Sequence, residues 1–141
     1  MLKDLIAELP DGTVVTDPDI VVAVLPRPLK PASEPLVRIS IQRVVINGRA
    51  PLGSAVFSVA ARHGDAEGDY PLFMPQSMEQ SVIGGRETFG EPKKLGQISL
   101  ERDGQDVKAS VGRHGYPLIT VTGRVTGDAP LPPDQTNTEF D

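Results

Sequence analysis

The segment Gly85-Arg86-Glu87-Thr88-Phe89-Gly90-Glu91-Pro92-Lys93-Lys94-Leu95-Gly96 sets two adjacent lysines behind a proline, in a stretch that is bounded by glycines and partly apolar. A lysine pair that only solvates a surface needs no such setting. A lysine that must act as a neutral amine does, because an ordinary lysine, with a pKa of about 10.4, is almost wholly protonated at neutral pH. The chemistry the motif raises is amine catalysis, in which a lysine attacks a carbonyl carbon and loses water to form an imine. The plain alternative is a solvated charge pair.

The rest of the chain offers little competing chemistry. It has no cysteine and only two histidines, His63 and His114, far apart in sequence. Disulfides and thiolate chemistry are thereby excluded, and a structural zinc site is not expected. His63, beside Gly64-Asp65, reads as loop surface, and His114 as a strand-end histidine. Ser54, Ser58 and Ser99 have no neighbouring His and Asp that would suggest a hydrolase triad. Gly84-Gly85 lacks the strand, Gly-rich loop and Lys-Ser/Thr order of a phosphate-binding loop. Arg86 and Glu87 read as a structural ion pair, and Tyr70 and Tyr116 as core residues with a hydrogen-bonded hydroxyl. No cofactor is implied. A net charge of -5 over 141 residues lacks the basic excess of a nucleic-acid binder. No apolar run approaches the roughly 18 residues of a membrane span, and Met1-Leu2-Lys3-Asp4-Leu5 lacks the apolar core of a signal peptide. Neither nucleic acid nor membrane is an expected partner, and the expected location is cytoplasmic.

The elements that must position the lysines are mostly strands. A composition of 38% hydrophobic and 23% charged residues, with 14 prolines and 14 glycines, favours short strands joined by tight turns in one domain. Residues 1–9 have helical spacing at Leu2, Leu5, Ile6 and Leu9, stopped by Pro10-Asp11-Gly12. Thr13 to Thr16 and Ile20 to Leu25 read as β-rich runs around an Asp17-Pro18-Asp19 turn, although the second run can also begin a short helix. Pro26 to Pro35 is a proline-rich loop. Leu36 to Ile46 is a long strand, Asn47-Gly48 a hairpin turn, Ser54 to Ala61 a strand, Arg62 to Gly68 a polar loop and Asp69 to Met74 a strand. Ser77-Met78-Glu79-Gln80 has the form of a capping box and predicts a helix from about Met78 to Glu87, ended by the glycines and Pro92. Leu95 to Glu101 and Asp106 to Val111 alternate about the Asp103-Gly104 turn, with Ile98 and Leu100 facing Val107, Ala109 and Val111. Leu118 to Val125 is the last strand. The sum is a mainly β fold with minor α: an antiparallel curled sheet or partial β-barrel with one or two short helices over residues 1–126. A polar, Pro-rich tail or linker follows over 127–141.

Gly85-Arg86-Glu87 followed by Glu91-Pro92-Lys93-Lys94-Leu95-Gly96 resembles the active-site segment of the acetoacetate decarboxylase family. The resemblance extends through Thr16-Asp17-Pro18-Asp19, Leu25-Pro26-Arg27-Pro28-Leu29, Glu34-Pro35-Leu36-Val37-Arg38, Gly68-Asp69-Tyr70 and His114-Gly115-Tyr116, and covers roughly Thr16 to Val125. It implies an acetoacetate decarboxylase-like fold and a Schiff-base lyase. Lys93 would be the nucleophile on a small-molecule keto acid and Lys94 a neighbouring cation, with CO2 and a ketone as products. That family is itself the known example of a lysine activated by desolvation or a neighbouring cation. Two ammonium groups about 6 Å apart at an effective dielectric near 20 repel by roughly 3 kcal/mol, less than full burial of a charge can cost. Consecutive side chains on an extended segment also point to opposite sides. Desolvation is therefore the expected main cause of activation, and Lys94 has the lesser role. Phe73, Met74 and Phe89, with Leu72 and Leu95, are the candidate apolar wall for substrate.

The resemblance further implies an arginine near the N-terminus and two glutamates on core strands. Their positions fall near Ala7, Ser40 and Ser54, none of which is charged. Imine formation survives that change, and a Schiff-base aldolase or dehydratase reaction on keto acids becomes an alternative, as does a non-catalytic ligand-binding barrel or inactive relative. The family also implies a homo-oligomer and a longer C-terminal side, so the chain is expected to be C-terminally shortened.

Overall fold

The computed structural model describes residues 13–45 and 50–127. The segment over 1–9, the Asn47-Gly48 turn and the tail after Gly127 lie outside the described residues. Nine strands and two helices follow in the order β1 (Thr13–Val15), α1 (Pro18–Val24), β2 (Lys30–Pro31), β3 (Leu36–Val44), β4 (Leu52–His63), β5 (Ala66–Gln76), α2 (Glu79–Phe89), β6 (Lys93–Leu95), β7 (Gln97–Asp103), β8 (Asp106–Arg113) and β9 (Tyr116–Arg124). The mainly β reading holds. The strands form a six-stranded sheet ordered β1-β3-β4-β5-β6, with β2 on β4, and a three-stranded sheet ordered β7-β8-β9. The two sheets do not close into a barrel.

The sheets meet along one apolar seam. Ile41 of β3, Ala55 of β4, and Ala109 and Val111 of β8 are its buried centre, with Ile39, Phe57, Ile98, Leu100 and Val121 packed around them. The period-2 pattern accounts for this, since alternate residues of each strand turn to one face. The β7–β8 hairpin forms as its alternation predicts, with Ile98 opposite Val111 and Leu100 opposite Ala109. The far face of the large sheet therefore carries the other residues: Ser40 and Gln42 on β3, Ser54 and Val56 on β4, and Met74 and Gln76 on β5.

Several elements differ from the sequence reading. Ile20 to Leu25 belongs to helix α1, not to a strand. Asp17 caps it by accepting from the Asp19 amide at 2.9 Å, and Pro18 opens the first turn. A good cap and a preset proline φ outweigh the β preference of a short valine run. Lys30–Pro31 pairs with β4 inside the expected loop. Arg62 to Gly68 is mostly ladder: His63 pairs with Ala66, and Gly64-Asp65 alone makes the turn. The Ser77 capping box does not form. Ser77 Oγ accepts instead from the Gly53 amide at 2.7 Å, and Met78 takes the cap position without a side-chain bond. Helix α2 runs through Gly84 and Gly85 and stops at Gly90, whose φ of 67° is left-handed. Tyr116 is not core but 73% exposed beside the β8–β9 turn.

If the seam holds the sheets together, Ile41→Ala should cost about 2–5 kcal/mol of stability, whereas Ile20→Ala on the exposed side of α1 should stay within about 0.5 kcal/mol. Urea unfolding of both variants checks this, and equal costs would remove the seam from the account.

Candidate active site

Strand β6 is placed by a β–α–β crossover. It lies parallel to β5, with Met74 beside Lys93, Pro75 beside Lys94 and Gln76 beside Leu95. Parallel neighbours need a long connection between them, usually a helix, and α2 is that connection. The Met74 amide donates to the Pro92 carbonyl at 3.2 Å, and the Gly96 amide to the Gln76 carbonyl at 2.9 Å, fixing both ends of β6. Arg86 of α2 donates to the Lys93 carbonyl at 3.3 Å. Arg86 thus ties helix to strand, and the expected Arg86–Glu87 ion pair is not among those of the described residues.

This register decides where each lysine goes. Lys93 shares the face of Met74 and Gln76, under α2. Lys94 shares the opposite face with buried Pro75. The two neighbours in sequence are therefore not neighbours across a site.

Lys93 has another partner. Its Nζ lies 2.6 Å from Glu91 Oε2, and the two side chains are only 16% and 29% exposed. Glu91 is two residues earlier, across a tight turn at Pro92 in which the Lys93 amide donates to the Glu91 carbonyl at 2.7 Å, a three-residue turn. Its position is set by the helix end, where the Glu91 amide donates to the Gly85 carbonyl at 3.1 Å and the Gly90 amide to the Arg86 carbonyl at 3.2 Å. Gly85 forms the roof. A Cβ there would overlap Glu91 Oε2 and Lys93 Cδ and come within 2.7 Å of Lys93 Nζ. The missing side chain is the space in which the ion pair sits.

One turn earlier on the same helix face, Ser81 Oγ donates to Gln76 Oε1 at 3.2 Å, and Gln76 Nε2 donates to Ser54 Oγ at 2.8 Å. On β3, Gln42 Nε2 donates to Ser40 Oγ at 2.7 Å. Further out on this face Arg38 is held in an ion pair by Asp69. The surface beside Lys93 is thus a row of neutral hydroxyls and amides.

The expected apolar wall comes together only in part. Met74 lies beside Lys93. Phe73 is on the other face, stacked on Phe57 with ring centroids 5.8 Å apart. Phe89, at the last residue of α2, is 76% exposed, and Leu95 is also exposed. Leu72 is partly exposed as well. Strand alternation explains Phe73, whereas Phe89, four residues after Gly85 and on its helix face, is left exposed because it is the last residue of α2. His63 and His114 lie at the exposed ends of the β4–β5 and β8–β9 hairpins. Among the described residues no three His, Asp or Glu side chains are grouped to hold a metal ion, and no helix is long and apolar enough to cross a membrane.

A model of the acetoacetate decarboxylase family matches residues 12–140. The chain belongs to the acetoacetate decarboxylase family. Over 112 residues it is 32% identical to a CLA biosynthesis isomerase of Lactiplantibacillus plantarum, a match that spans 76% of this chain and 40% of that protein. Among solved structures, an acetoacetate decarboxylase superposes with a TM-score of 0.71 at 28% identity, over 78% of this chain and 45% of the other. An acetoacetate decarboxylase-like enzyme from Sphingomonas wittichii gives 0.66 at 26% identity, over 82% and 55%. The chain spans about half the length of these family members. The acetoacetate decarboxylase fold is therefore that of this domain.

Gly85→Ala separates stability from site geometry. Alanine is the better helix former by about 0.8–1.0 kcal/mol, and the atoms in its way are the mobile ends of two side chains. Its thermal midpoint should stay within a few degrees of wild type, while, if Lys93 is the imine-forming residue expected from the sequence, its capture of a ketone falls at least about tenfold, in line with the cost of a small misplacement at a reacting centre. Calorimetry and mass spectrometry of the borohydride-reduced protein read the two effects, and full capture by the variant would deny Gly85 its role.

Proposed function

We propose that this chain is a Schiff-base enzyme in which Lys93 condenses with the ketone of a small β-keto acid and releases CO2. The observation that carries the reading is the enclosed Lys93–Glu91 pair beneath Gly85. A nucleophilic lysine must lose a proton, and Glu91 stands at hydrogen-bond distance to take it. The freed amine adds to the carbonyl carbon, and the carbonyl oxygen becomes a hydroxyl. Protonated Glu91 returns its proton to that hydroxyl, which leaves as water and gives the iminium. The cation draws in the electron pair of the breaking Cα–carboxylate bond, so CO2 departs and an enamine remains. Protonation at carbon and attack of water release the ketone and restore the amine. Glu91 is thus a proton carrier, and its carboxylate also faces the positive nitrogen of the intermediate.

A second reading has one observation in its favour. Ser40 and Ser54 make the face beside Lys93 neutral where a carboxylate-handling site would carry charge. The same iminium and enamine support aldol addition and dehydration, which need no carboxylate. Product analysis divides the two: CO2 and a ketone for decarboxylation, a condensed enone without CO2 for the other.

The test is borohydride reduction of the protein with acetoacetate, followed by intact mass and peptide mapping. The adduct should map to Lys93, disappear in Lys93→Ala and persist in Lys94→Ala. Glu91→Gln keeps the shape but cannot carry the proton, and should slow capture by about 10²–10⁴. An adduct on another lysine, or none with any ketone, would end the proposal.

A further inference from the structure

Resting on the reading of Lys93 as the imine-forming residue, we infer that Ser54, oriented by Gln76, is a binding group for an uncharged oxygen on the substrate, and that the site prefers ketones bearing a hydroxyl or second carbonyl a few carbons from the reacting one.

Gln76 is 3% exposed, and burying an amide without partners is costly. Ser81 donates to its Oε1, and its Nε2 faces Ser54. Ser54 Oγ therefore accepts, and a hydroxyl that accepts still holds a proton to donate. The described hydrogen bonds use Ser54 only as an acceptor.

The location fits a substrate tethered to Lys93. Gln76 and Met74 are alternate residues of β5 on one face, and Met74 is the strand neighbour of Lys93. Helix α2 measures the separation: Gly85 stands over Lys93 Nζ and Ser81 is bonded to Gln76. Four helical residues rise about 6 Å, so the amine and the amide lie about the length of a short substrate apart. Val56 and Met74 line the strands between them, giving an apolar middle with a polar end. Arg38 lies at the other end of the face, opposite Ser58, and is engaged by Asp69, so the Ser54 end offers hydroxyl and amide groups.

The probe pair is 4-hydroxybutan-2-one and pentan-2-one, in which a methyl group replaces the hydroxyl. Capture on Lys93 by borohydride is measured against concentration for wild type, Ser54→Ala, Ser54→Thr and Gln76→Leu. Wild type should reach half-capture with the hydroxyketone at about tenfold lower concentration or less, since a site built to bond a hydroxyl rejects the analogue that lacks it. Ser54→Ala and Gln76→Leu should lose that preference, so that the two ketones reach half-capture at like concentrations. Ser54→Thr should restore it. Equal capture of both ketones by wild type, or a preference that persists in Ser54→Ala, would overturn the inference and leave the imine reading intact. A fall in capture of both ketones alike in Ser54→Ala would also overturn it, because that is the mark of a merely structural residue. Absence of any Lys93 adduct in wild type would overturn both.

Discussion

The site depends on how closely α2 crosses β6. A parallel pair of strands forces the chain to leave the sheet, pass over one face as a helix and return. Here the return is short, with only Gly90, Glu91 and Pro92 between helix and strand. So short a return draws the last turns of α2 down onto the strand it feeds. A Cβ at the point of nearest approach would displace the Lys93–Glu91 pair, and Gly85 leaves that space free at the cost of helix propensity. The same closeness withdraws Lys93 from water and brings the chain round so that Glu91 faces it. Roof, lysine and carboxylate are consequences of one connection.

Enclosing an ammonium group away from water is unfavourable unless a counter-charge and hydrogen bonds replace the lost hydration. Glu91 supplies the counter-charge in the resting protein. The proposed intermediate is also a nitrogen cation at nearly the same place, so the carboxylate that suits the resting lysine suits the iminium without rearrangement. A fixed dipole or charge that need not reorganise during reaction is an effective form of electrostatic assistance. The neutral row of Ser40, Gln42, Ser54 and Gln76 adds orientation without another charge to compete for Glu91.

Much of this was legible in the residues, for reasons that can be named. The β7–β8 hairpin was plain because its alternation is regular and a glycine marks its turn, which falls at Gly104-Gln105, with Asp103 paired to Asp106, one residue later than expected. The lysine segment was plain because proline and glycine bound it, and the opposite facing of Lys93 and Lys94 follows from strand alternation alone. Glu91 is close to Lys93 in sequence, but its facing depends on the turn at Pro92 and on where α2 ends. Other features require long-range register. Gln76 and Ser54 are 22 positions apart, and only the β4–β5 ladder makes them partners. Ser77 had the local signature of a cap, yet the Gly53 amide captured it. Phe73 and Phe89 were apolar residues near the lysines in sequence, but alternation turns Phe73 to the other face and Phe89 falls at the exposed end of α2.

Strand β6 has a further consequence as the border of its sheet. Among the described residues it pairs with β5 alone, so its outer backbone groups face away from any ladder. Such a border invites a stray strand from another molecule, and proteins commonly deter this with lysines and with charges turned inward along the edge. Two of the three residues of β6 are lysines, one on each face. Lys93 is already enclosed with Glu91 and its carbonyl is taken by Arg86, so the charge that a stray strand would have to bury is that of Lys94. The lysine with the lesser part in the chemistry is thus the one placed to guard the edge.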